Sequence, residues 1–96
     1  MIDRAFVRIE AKEGKEDAVE SFLTDALAAV REEDKTIDWF AVKFGKRVFA
    51  IFDTFPDESG RLAHLAGKVG RALIAKKPTL IEGLPKIEHA EVLTSK

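Results

Sequence analysis

The sequence predicts an α+β fold, a four-stranded antiparallel sheet with two helices on one face in the ferredoxin-like split βαβ arrangement. Three observations lead there. Apolar residues alternate with period two near both ends of the chain, which marks half-buried strands. Two segments of helical period separate those strands from the middle of the chain. The middle itself, from Ile37 to Phe55, reads as two strands joined at Gly45-Lys46, so the element order is β-α-β-β-α-β.

The first strand runs from Ala5 to Lys12, with Ala5, Val7, Ile9 and Ala11 on one side and Arg4, Phe6, Arg8 and Glu10 on the other. Gly14 ends it. From Lys15 to about Asp34, Ala18, Val19, Phe22, Leu23, Ala26, Leu27 and Val30 recur at the spacing of one helical face, and Glu16, Asp17, Glu20, Asp25 and Arg31 occupy the other. The hairpin follows. A two-residue type II′ turn with Gly45 first places Phe40, Val42, Phe44, Phe49 and Ile51 on one face, and Ile37, Trp39, Ala41, Val48, Ala50 and Phe52 on the other. Both faces are apolar. An antiparallel sheet with one solvated face normally shows polar residues there, so the second face predicts a second copy of the chain packed against it.

Pro56 stops the hairpin because it has no N–H to give a ladder, and Asp57 is a natural N-cap for a second helix with Glu58 placed against its dipole. That helix carries Leu62, Leu65 and Ala66, breaks at Gly67-Lys68-Val69-Gly70 and resumes at Ala72, Leu73 and Ile74. A bent helix or a helical pair is expected. Pro78 and the segment from Thr79 to Gly83 read as a connection, and Lys86 to Leu93 as a charged edge strand.

With 96 residues, the chain reads as one domain over residues 1–96, small enough for a partner subunit to add materially to its buried surface. Sixteen Lys and Arg oppose 17 Asp and Glu, and the pI near 6.1 gives no global attraction to nucleic acid or anionic membrane. No run is long enough to span a bilayer and no basic-then-apolar leader is present, so a cytoplasmic location is expected. There is no Cys, Asn, Gln or Tyr. That removes disulfides and thiolates and leaves the polar chemistry to His, Trp, Ser, Thr, Arg, Lys and carboxylates.

His64 and His89 are the two imidazoles, and neither has companions at metal-ligand spacing, so no metal site is expected. On a straight second helix, His64 lies opposite Leu62, Ala66, Val69 and Leu73 and faces solvent. It faces a cavity only if the break near Gly67 rotates the first half of the helix. Trp39, with Phe52 across from it and Ala41 and Ala50 beside them, fits either the floor of a pocket for a flat ligand or ordinary interdigitated packing. Gly67-Lys68-Val69-Gly70-Arg71 has the GxxG form of a nucleic-acid clamp, but the neutral charge and the long hairpin before it argue against nucleic acid. The serines lie in no nucleophile-elbow context, and there is no phosphate loop or dinucleotide fingerprint.

The run from Ile51 to Glu58, continuing through Ala63-His64-Leu65, resembles the strand-to-helix segment of the antibiotic biosynthesis monooxygenase family, and Val7 to Lys12 with Gly14-Lys15-Glu16 is similar to that family's first strand and turn. The resemblance covers nearly the whole chain and implies one such domain, paired sheet to sheet as a dimeric α+β barrel. It also implies oxygenation of a planar aromatic or quinol by molecular oxygen with no cofactor, the protein supplying a base, a dry cavity and orientation. Haem degradation is not implied, because His64 stands where that branch has a helix Trp and Ile74 where it has the haem-ligating His.

By the same resemblance, the catalytic residues are His64, where relatives place a cavity-facing histidine, and Trp39, an aromatic able to orient a ring. Phe22, Phe52, Asp53 and Leu65 line the ligand pocket. The absence of Asn and Tyr, which related oxygenases use, keeps a second reading open: a non-catalytic dimeric module of the same fold that binds a small molecule.

Overall fold

The computed structural model describes residues 3–96, with side chains from residue 4 onward. Seven elements follow in order: β1 (Asp3–Glu10), α1 (Glu16–Val30), β2 (Asp38–Phe44), β3 (Val48–Phe55), α2 (Glu58–Leu65), α3 (Lys68–Leu80) and β4 (Lys86–Glu91). The strands form one antiparallel sheet in the order β2-β3-β1-β4, so the fold class read from the sequence is the one observed. Helices cover one sheet face. Val7, Ile9, Phe49 and Ile51 of the central strands pack there against Val19 and Leu23 of α1, with Leu73 and Leu80 of α3 closing the cluster.

The hairpin register differs from the expected one by one residue. Phe44 pairs with Val48, so the turn holds three residues, Gly45, Lys46 and Arg47, with Gly45 at φ +64°. Arg47 is withdrawn from the β2 ladder because its carbonyl accepts from Ala11 N–H at 2.7 Å and its guanidinium donates to Glu10 at 3.1 Å. Trp39, Ala41 and Lys43 therefore share the helix-covered face with Phe49, Ile51 and Asp53, while Phe40, Val42 and Phe44 join Val48, Ala50 and Phe52 on the other. Opposite Trp39 stands Asp53, not Phe52. The uncovered face is nonetheless apolar, with Phe40 59% exposed, Phe44 45% exposed and the Phe6 and Phe52 rings in tilted contact, their centroids 4.6 Å apart.

α1 ends at Val30, short of Asp34, because Glu33 leaves the helix to bond a residue of α2. α3 runs through Pro78, which the sequence reading placed in a connection. A proline in the last turn forfeits one hydrogen bond, and the end is held instead by Ile81 N–H donating to the Lys77 carbonyl and Lys12 Nζ donating to the Pro78 carbonyl at 2.6 Å.

The second helical region is a pair. Asp57 caps α2 by accepting from Gly60 N–H at 2.9 Å, and the chain turns between Ala66 and Gly67 before α3 begins. Gly70 permits the close approach that follows, since a Cβ there would lie 2.2 Å from the Leu65 carbonyl oxygen. The two glycines of the GxxG run thus serve the helix junction, Gly67 as the N-cap of α3 and Gly70 as the contact.

Two stability outcomes follow. Asp57→Ala should lose about 1 kcal/mol in urea unfolding, because it strands an amide at the start of α2. Gly70→Ala should lose roughly 1–3 kcal/mol, because backbone rather than a flexible side chain must move; an unchanged midpoint would mean that α3 can shift away from α2 freely.

Candidate functional site

On the helix-covered face of the sheet, one acid is buried among the described residues. Asp53, near the end of β3, is 1% exposed, and a carboxylate removed from water this completely requires a partner. His64 supplies it. Its Nε2 lies 3.1 Å from Asp53 Oδ2, and its Nδ1 lies 2.5 Å from Glu33 Oε1, where the chain leaves α1. In the imidazolium form both ring N–H groups donate, one to each carboxylate. The second oxygen of Asp53, Oδ1, is buried and accepts no hydrogen bond among the described residues.

This pairing explains why α2 presents the face it does. Leu62, counted in the sequence as core-facing, is 52% exposed, while Gly60 and His64, one helical turn apart, are buried. Gly60 fits where a Cβ would come within 3.3 Å of Phe55 and 3.1 Å of Lys35, and the His64 ring lies 5.4 Å from that of Phe55. The solvent-facing alternative for His64 is excluded by its 8% exposure, and the break before Gly67 turns it inward.

Asp53 and His64 form the polar corner of a cavity of about 360 Å³ under α3. Its apolar wall includes Val7, Ile51, Leu65, Leu73 and Ile87, and Lys77 contributes the remaining charge. Apolar volume with a few convergent polar groups is the usual form of a small-molecule site.

Of the residues singled out by sequence, His64, Asp53 and Leu65 meet at this cavity. The other three do not line it. Phe52 precedes Asp53 on β3 and so points to the opposite sheet face, where it rests on Phe6. Phe22 packs between α1 and α3, in a shallow cleft with Ala26, Val69 and Ala72. Trp39 is the cross-strand neighbour of Asp53 on the same face but packs toward α1, lining an outer cleft with Glu33, Thr36 and Asp38. Glu33 was missed altogether. It sits in a run of acids, Glu32-Glu33-Asp34, that reads as a solvated helix end, and only its contact with His64 distinguishes it.

Both ring nitrogens of His64 are engaged, and among the described residues no group of three or more His, Asp or Glu side chains is arranged to hold a metal ion. No helix among them is long and apolar enough to cross a membrane.

No family model and no curated protein matches the chain. Among solved structures, it is similar to NE2512 of Nitrosomonas europaea, a protein of unknown function, at 46% identity and a TM-score of 0.97 over 99% of this chain and 92% of that one. The chain belongs to the family of NE2512. The same fold is found in two candidate antibiotic biosynthesis monooxygenases. One is from Nitrosomonas europaea (TM-score 0.86, 11% identity, 96% of this chain and 90% of that one). The other is from Caulobacter crescentus CB15 (TM-score 0.84, 14% identity, 97% and 91%). The resemblance to that family read from Ile51 to Leu65 is thus met at the level of the fold.

Burial alone would lower the pKa of His64, but the hydrogen bonds to Asp53 and Glu33 outweigh it, and the net shift is upward from 6.5. The fold therefore favours the protonated ring. The resulting stabilisation is complete below the unfolded value and is lost as pH rises through the higher folded value. In urea unfolding followed from below pH 6.5 upward, the stability advantage of the native chain over His64→Gln should shrink with rising pH. An advantage that grew with pH would contradict the assignment of charge.

Proposed function

We propose that this chain is a small cofactor-independent monooxygenase of planar aromatic or quinol substrates, working as a homodimer. The observation that carries the reading is Asp53, which lines a largely apolar cavity and keeps one buried oxygen, Oδ1, that accepts no hydrogen bond among the described residues. A ring lying between Leu65 and Ile87 with its hydroxyl at the cavity's polar corner meets a base and little else that is polar.

The chemistry then asks little of the protein. Asp53 Oδ1 takes the proton as the substrate O–H bond breaks, and His64, donating to Oδ2, holds the carboxylate in place. The ring anion gives one electron to dioxygen; the resulting radical pair joins through a new C–O bond, and the proton returns from Asp53 to the distal oxygen. Breaking the O–O bond with loss of the ring hydrogen releases water. For a quinol, the sum is quinol plus O₂ giving hydroxyquinone plus H₂O, and all four electrons come from the substrate. The apolar walls keep bulk water from the anion, which would otherwise be solvated and less able to reduce oxygen.

Pairing of two copies through the uncovered sheet face, where Phe6, Phe40, Phe44 and Phe52 lie, would remove that apolar surface from water. The non-catalytic reading rests on the closed ion network, in which both nitrogens of His64 are already occupied.

A quinol panel followed by an oxygen electrode tests the activity. Uptake should occur with substrates bearing an ionisable ring hydroxyl and fall about 10²- to 10⁴-fold in Asp53→Asn. Tight binding of the same compounds without uptake would select the binding module. The solution mass should be that of two chains and drop to one in Phe40→Glu; a native monomer would remove the dimer from the proposal.

A further inference from the structure

The catalytic reading uses Asp53 and His64 and leaves one buried contact without a task. Glu33 lies outside the cavity, on the far side of His64, yet its carboxylate is bonded directly to the ring. It is also held from behind, since Thr36 Oγ1 donates to the same oxygen at 2.7 Å. Side-chain exposure rises along the series from 1% at Asp53 to 8% at His64 and 20% at Glu33. Glu33 thus faces an outer cleft of about 400 Å³ that it shares with Thr36, Asp38 and Trp39. His64 lines the inner cavity and Glu33 the outer cleft, so the bond between them links the two.

From this geometry we infer that Glu33 is a positioning residue: it fixes the ring plane and charge of His64 from outside, so that Nε2–H stays on Asp53 Oδ2 and Oδ1 alone is left facing the ligand. The inference rests on the catalytic reading for its purpose, though not for its test. Without Glu33, a ring held at one nitrogen can rotate about the Cα–Cβ and Cβ–Cγ bonds or present an unprotonated nitrogen to Asp53. Either change alters which carboxyl oxygen faces the cavity.

Other charged and titratable groups stand on the elements packed around the ring, among them Lys35, which lies against Gly60 beside Phe55. On β3 there is Asp53. In the same cross-strand row Trp39 and Ala5 flank Asp53, and His89 of β4 follows Ala5. From α3, Lys77 reaches the cavity wall, and Arg61 precedes His64 by nearly one turn on α2. Of these, Asp53 shares hydrogen bonding to His64 with Glu33, so removing the Glu33 charge should be felt directly at the ring.

The test is an NMR titration of the His64 ring in the full-length protein, run on the native chain, Glu33→Gln and Thr36→Val, with oxygen uptake against pH measured in parallel. Glu33→Gln keeps an acceptor but removes the charge, and should move the His64 titration to lower pH. Thr36→Val leaves Glu33 in place with its rear support gone, and should give a smaller shift in the same direction. Substrate turnover in Glu33→Gln should fall on the order of 10²-fold, as expected for a misplaced base, with its pH profile moved alongside the titration and KM little changed. A His64 titration identical in all three proteins would overturn the inference. A shifted titration in a chain that consumes no oxygen with any quinol would uphold the positioning role while the oxygenase reading fails. If Glu33→Gln does not fold, Thr36→Val alone decides, and an unmoved His64 in it counts against the inference.

Discussion

A carboxylate buried on the covered face of a β-sheet has to be neutralised from the helical layer, and in this protein that requirement shapes everything around it. Asp53 is supplied by β3, which sits between β1 and β2, and is as inaccessible as the apolar residues beside it. The partner must come from α2, and α2 must turn His64 rather than Leu62 toward the sheet to provide it. That rotation is incompatible with a single straight helix whose later residues, Val69 and Leu73, also face inward. The chain breaks at Gly67, and Gly70 lets α3 start against the Leu65 carbonyl. Breaking such a pair by removing one partner is expected to destabilise by roughly 3–5 kcal/mol, more than the N-cap or the helix junction contributes.

The same break creates the cavity. With α2 committed to Asp53 and α3 displaced from it, the space beneath Leu73 and Ile74 is bounded by Ile51, Val7 and Ile87 without being filled by them. The polar corner and the apolar volume therefore have one cause. An ion pair is a weak source of net stability when buried, because desolvation offsets much of the attraction. Its presence here is better understood as fixing a geometry, with one carboxyl oxygen left over, than as strengthening the fold.

Much of the fold was legible from periodicity, because the half-buried β1 and the amphipathic α1 each have one right answer for which side is apolar. The hairpin register was not. On β3 every residue from Val48 to Phe52 is apolar, so a slip of one residue exchanges two equally greasy faces and leaves no mark in the pattern. The deciding contact is made by Arg47, whose carbonyl and guanidinium are claimed by Ala11 and Glu10, some 36 residues away in sequence. The slip is why Trp39 faces Asp53 rather than Phe52, while Phe52, next to Asp53 on β3, takes the other face in any register. Glu33 was illegible on different grounds, since nothing local separates an acid that caps a buried histidine from two neighbours in an exposed run.

What the sequence determined by itself is what depends on near neighbours: strand and helix periods, the cap at Asp57, the interruption at Gly67, and an apolar surplus in the central hairpin. Tertiary structure alone decided which faces met. The register, the inward turn of His64 and the union of Glu33, His64 and Asp53 each join residues from separate elements. The energy of such a contact lies in desolvation and charge pairing that do not exist until the elements have packed.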